Sequence, residues 1–86
     1  MEVLLAVFRS RTQTLAFTDA MKRQGLFCAV VATPSEARVG CGVSAKFLRA
    51  DLGRAERIID RYRPDSYYGI YEVRQSGMRT SVRRIR

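Results

Sequence analysis

The order of apolar segments limits this chain more than any other feature of its sequence. Two strand–helix–strand patterns flank residues 33–42, a loop too long for a tight turn that places Cys41 between Gly40 and Gly42. Residues 3–8 (VLLAVF) are a brief, β-rich run, apolar on both faces. Ser10 or Thr12 then supplies an N-cap, and Ser10-x-x-Gln13 fits a capping box. The helix is expected to reach about Gln24, with Gly25 as its left-handed stop. Its buried stripe reads as Ala16, Phe17, Ala20 and Met21, with Gln13 at the edge and Leu15 pointing away.

Residues 26–32 (LFCAVVA) read as a second strand, again apolar on both faces. Within the loop, Thr33-Pro34-Ser35-Glu36 has the form of a helix start, with Thr33 as cap and Pro34 at the first position. Residues 43–48 alternate as a third strand, with Val43, Ala45 and Phe47 inward. Asp51 caps a second helix whose stripe is Leu52, Ala55, Ile59 and Tyr62, with Ile58 beside it. Pro64 ends that helix and Asp65-Ser66 make the turn into a fourth strand, residues 67–73. Residues 75–86 read as a basic C-terminal tail, with a weak edge-strand pattern over 79–86.

The order βαββαβ without an internal linker points to an α+β fold, a ferredoxin-like sandwich spanning residues 1–74. One antiparallel sheet would carry both helices on one face. Strands apolar on both faces then leave one face to be buried by a second copy, so a homodimer is expected.

At 86 residues the chain is one domain, and an apolar fraction of 47% argues against disorder. The net charge of +8 comes from 16 Lys and Arg against 8 Asp and Glu. Arg79, Arg83, Arg84 and Arg86 crowd the last eight residues, so much of the basic character belongs to the tail. Nucleic-acid binding is thus a weak expectation, through tail electrostatics or stacking on Tyr67, Tyr68 and Tyr71. Residues 1–8 are too short to span a membrane, and no secretion signal is visible, so a cytoplasmic location without membrane association is expected. With no His and two Cys, a closed zinc site is not expected, nor is any other metal or cofactor.

In the expected topology the third strand begins where the first helix starts, which brings Cys41 near the amides around Ser10 and Gln13. A helix N-terminus favours an anion, and so the thiolate. Arg9, Arg11, Arg38, Arg61 and Arg63 would gather at the same end, and Gly40 and Gly42 would leave the sulfur approachable. Two readings of Cys41 stay open: a nucleophile, or a small residue whose glycines serve turn geometry. Cys28, inside an apolar strand, reads as inert packing. Gly40-x-Gly42 is too short for a dinucleotide fingerprint.

Phe8 to Ser10, Gly25, Thr33-Pro34 and above all Cys41-Gly42-Val43 give the chain a resemblance to the putative selenium/sulfur carrier protein-like domains, small bacterial proteins. The resemblance covers about residues 3–73. It implies a cysteine that carries sulfur or selenium as a persulfide or selenosulfide, and Cys41 is the matching position. Val39-Gly40 departs from the small hydroxyl residues that often precede the Cys-Gly pair there, which removes hydrogen-bond donors to the sulfur. Donor and acceptor proteins are the implied partners, and a one-thiol relay without a general base reads as a carrier before an enzyme. Against it stand a dimeric interaction or regulatory domain without thiol chemistry, and nucleic-acid binding through the tail.

Overall fold

In the computed structural model, which describes residues 2–35, 37 and 41–86, the element order is β1 (Val3–Phe8), α1 (Arg11–Arg23), β2 (Cys28–Ala32), β3 (Val43–Leu48), a 3-10 turn (Arg49–Asp51), α2 (Leu52–Tyr62), β4 (Tyr67–Ser76) and β5 (Arg79–Arg84). The strands form one antiparallel sheet in the order β2-β3-β1-β4-β5. The α+β class is as expected. The four-stranded ferredoxin-like sheet is not the whole of it, because the arginine-rich segment read as a tail supplies a fifth strand. β4 is accordingly an inner strand rather than an edge.

The C-terminal segment docks through a backbone ladder to β4, and ion pairs use part of its charge. Glu72 is buried in β4, and Arg74, Arg83 and Arg49 all reach its carboxylate, the first two at 3.1 and 3.2 Å. Arg49 also holds Glu2 at 2.7 Å. Burial alone would raise the Glu72 pKa, but Arg74, Arg83 and Arg49 outweigh it and hold the carboxyl below its ordinary value. Arg86 pairs with Glu56 of α2 at 2.9 Å, and the Ile85 amide donates to Ile70 O at 2.8 Å. The positive charge that reads as a solvated tail is therefore spent partly on tying β5 to the domain.

One face of the sheet is covered by both helices. Leu4, Ala6, Phe8, Phe47 and Ile70 of the strands pack there against Phe17 and Met21 of α1 and Ala55, Ile58 and Ile59 of α2. Phe8 meets Phe17 and Tyr67 with ring centroids 5.4 and 5.8 Å apart, tilted as aromatic quadrupoles prefer. The buried stripe of α1 is rotated from the expected one: Thr14 and Thr18 are buried with Phe17 and Met21, while Ala16 is exposed. The two threonines tolerate burial because each hydroxyl donates to the backbone carbonyl one turn earlier, Ser10 O and Thr14 O. Leu15 does point outward.

Helix ends also differ in part from expectation. Ser10 Oγ accepts from the Gln13 amide at 3.2 Å, and Gly25 takes φ +76° after the last turn of α1. Asp51 does not cap α2 with its side chain; the 3-10 turn leads into the helix instead. Arg63, at φ +46°, closes α2 by donating its amide to Ile59 O, so the stop falls one residue before Pro64. Tyr62 is largely exposed because it lies at this last turn, off the sheet. Thr33 and Pro34 are not helical, and the Ala37 amide closes a turn onto Pro34 O at 3.0 Å; Glu36 lies outside the described residues.

The other face carries Leu5, Val7 and Tyr71 with Val31, Tyr68, Val73 and Val82 packed around them. Leu5, Val7 and Tyr71 are only 3%, 0% and 8% exposed within a single chain. These three are covered within the single chain, while Val31, Tyr68, Val73 and Val82 around them stay partly exposed. Among the described residues no helix is long and apolar enough to cross a membrane.

Candidate functional site

Cys41 sits at the mouth of β3, where the loop from β2 returns to the sheet. The loop is pinned at its base: the Thr33 amide donates to Gly42 O at 2.9 Å, and the Thr33 and Ser44 hydroxyls bond to each other. Gly42 adopts φ +94°, a conformation that strains any side chain, so the residue after the thiol is glycine for backbone reasons. Cys41, just before that glycine, is exposed.

The sulfur lies against the first turn of α1, as the topology led one to expect. Cys41 Sγ is 3.9 Å from Thr14 Oγ1 and 3.8 Å from Val43 O. A thiol can donate its proton to Val43 O. A thiolate can only accept, and Thr14 Oγ1 is the hydroxyl placed to donate to it, on giving up its 3.0 Å bond to Ser10 O.

That helix end is itself held rigidly. Gln13 does not complete a capping box; its Oε1 accepts from the Ser66 amide at 2.9 Å and from the Ser66 hydroxyl, while its Nε2 donates to Asp65 Oδ1 at 2.8 Å. The Arg9 amide donates to Ser66 O at 2.9 Å. The turn between α2 and β4 therefore clamps the start of α1, and with it Thr14.

Among the described residues, no hydrogen bond joins any of the expected cations to the sulfur. Ser10 is present as the cap, and Arg11 is the exposed first residue of α1. Arg9 instead lies over the Tyr68 ring, 5.7 Å from its centroid, on the side of the sheet away from the helices. Arg61 and Arg63 are exposed at the end of α2. Arg38 and Gly40 lie outside the described residues. Among the described residues, the hydrogen-bond partners of Cys41 Sγ are Thr14 and Val43 alone. Thr14 was missed by sequence reasoning; its one available signal is that Ser10, as cap, sets Thr14 in the first turn and one turn above itself.

Cys28 differs in every respect. It is 4% exposed within the helix-covered core. Burial raises its pKa above the ordinary thiol value, with a Thr18 hydrogen bond and Lys22 acting more weakly in the opposite direction.

A family model described as Putative Se/S carrier protein-like matches residues 3–72. The chain belongs to that family. The match takes in both helices, both cysteines and the Cys41 loop, and it ends within β4, so β5 lies beyond it. No curated protein and no solved structure matches the chain.

Proposed function

We infer that this chain carries sulfur or selenium on Cys41 between a donor protein and an acceptor protein. The observation that carries the reading is an exposed thiol at the head of α1 with the Thr14 hydroxyl 3.9 Å from its sulfur, in a chain of the Se/S carrier-like family. The Cys41 thiolate attacks the terminal sulfur of a donor persulfide, R–S–SH. The new S–S bond forms as the donor's S–S bond breaks, the donor leaves as the thiolate R–S⁻, and the proton stays on the transferred sulfur to give Cys41–S–SH. An acceptor thiolate repeats the exchange in the other direction and regenerates Cys41. Selenium transfer has the same balance, with selenium as the terminal atom.

Each structural feature has a place in that cycle. Exposure lets two different protein partners reach the same atom in turn. The Thr14 hydroxyl stabilises the attacking anion. With no second thiol nearby to resolve it, Cys28 being sealed in the core, the loaded sulfur waits for an acceptor rather than closing an internal disulfide.

The test is to incubate the full chain with glutathione persulfide and read the intact mass. Wild type and Cys28→Ser gain one sulfur atom, whereas Cys41→Ser does not. Loading that persists in Cys41→Ser, or that is lost in a folded Cys28→Ser, overturns the reading.

A further inference from the structure

The face of the sheet away from the helices has a charge pattern of its own. Register places Lys46 beside Leu5 and Arg84 beside Tyr71 on that face, and Arg9 joins them over the Tyr68 ring. None of these three cations has an ion-pair partner among the described residues, whereas Arg49, Arg74, Arg83 and Arg86, on the helix-covered side or beside it, are all paired. Glu72 is the one acidic residue in the described strands, and it stands opposite Leu4, on the covered side. The open face therefore presents unneutralised positive charge and, among the described residues of its strands, no carboxylate.

An aromatic layer sits among those cations. The register between β1 and β4 shifts where Val7 pairs with Gly69 and Phe8 with Tyr67. Tyr68 is the extra residue of this bulge, and its ring turns to the open face, 6.5 Å from Tyr71 and 10° from parallel with it. Arg9 and Arg84 lie 5.7 and 5.6 Å from the Tyr68 centroid. Arg84 can lie flat across the sheet because residue 69 has no side chain: a Cβ there would stand 2.8 Å from Arg84 Nε.

We propose that this open face, through Tyr68, Arg9, Arg84 and Lys46, binds single-stranded nucleic acid. Tyrosine rings and guanidinium planes are both surfaces on which bases stack, and the same cations reach the phosphates. Charge complementarity selects a polyanion, and the planar aromatic–guanidinium layer selects one with unpaired bases. The arginines of α2 make a poorer surface for it, since Glu56 and Asp60 are interspersed among them. The site uses β5, beyond the family match, and does not depend on the chemistry of Cys41.

The test is fluorescence anisotropy of labelled oligouridylate and oligodeoxythymidylate with the full chain over a salt series, with sedimentation velocity on the same samples. The double variant Arg9→Ala/Arg84→Ala should bind about tenfold more weakly at physiological salt and shallow the log–log salt slope by roughly 1.4, as loss of two phosphate contacts requires. Tyr68→Leu should weaken binding by roughly tenfold with little change in slope, since it removes stacking and not charge. Gly69→Ala, which displaces Arg84 at constant charge, should weaken binding severalfold and guards against misfolding of the Tyr68 variant. Arg54→Ala/Arg57→Ala, an equal loss of charge on α2, should change affinity less than about twofold. The proposal is overturned by an equal loss in the α2 variant, by no binding of the wild-type chain at low salt, or by a wild-type dimer that Tyr68→Leu dissociates, which would make a second copy the occupant.

Discussion

Cys28 and Cys41 stand at opposite ends of the β2–β3 pair and show how one residue type comes to sit in two opposite settings. Cys28 pairs across the ladder with Phe47 and is sealed beneath α1; Cys41 lies just beyond the last ladder pair, Ala32 with Val43, and is exposed. Burial pushes the Cys28 thiol toward its neutral form. Cys41 precedes a left-handed glycine, and a hydroxyl on the neighbouring helix faces its sulfur. The difference teaches that access to each thiol follows from its place relative to the sheet end and not from composition: the strand interior seals Cys28, and the loop before β3 leaves Cys41 exposed.

The largest expected effect is kinetic. In the native chain, iodoacetamide should modify Cys41 roughly a hundredfold or more faster than Cys28, because Cys28 reacts only from opened states. The two rates should converge in denaturant, and comparable native rates would erase the contrast. Stability should divide the two sites in the reverse sense. Cys28→Ser buries a hydroxyl in an apolar setting and should cost about 1–3 kcal/mol, read as a fall in melting temperature of roughly 4–8 °C per kcal/mol for a domain of this size. Cys41→Ser should stay within about 0.5 kcal/mol of wild type.

The raised Cys28 pKa adds a pH dependence with a definite sign. Above the ordinary thiol value the unfolded chain has lost this proton while the folded chain keeps it, so stability falls as pH rises through that range. Cys28→Ala should lose that part of the alkaline decline, measured by denaturant melts between neutral and alkaline pH. The smallest effect is at Thr14. Thr14→Val keeps the shape and removes the hydroxyl beside Cys41, and should slow alkylation of Cys41 severalfold while leaving Cys28 unaffected.

Much of this contrast is legible in the sequence. The apolar flanks of Cys28 and the glycines around Cys41 separate the two thiols, and Ser10 and Gly25 bracket α1 where the structure does. The meeting of Cys41 with the start of α1 follows from the order of elements. What the sequence does not show depends on long-range partners. Thr14 reads as an ordinary helix residue until the loop from β2 is folded against it. Gln13 looks like half of a capping box, but residues 65 and 66, distant in sequence, take its side chain. The arginine-rich end has too weak an alternation to declare itself a strand. Its pairing brings Arg83 to the buried Glu72 and Val82 to the cluster around Tyr71, partners that lie across the β4–β5 ladder and not in the local pattern. The register shift that turns Tyr68 to the open face leaves no mark on the local pattern.

The most direct measurement is a peptide map of the wild-type chain after exposure to a persulfide donor under native conditions, with free thiols and persulfides distinguished by mass. The extra sulfur should be found on the peptide containing Cys41, with Cys28 recovered as an unmodified thiol. Sulfur shared evenly between the two cysteines, or found on Cys28 alone, would contradict the assignment of Cys41 as the carrying residue.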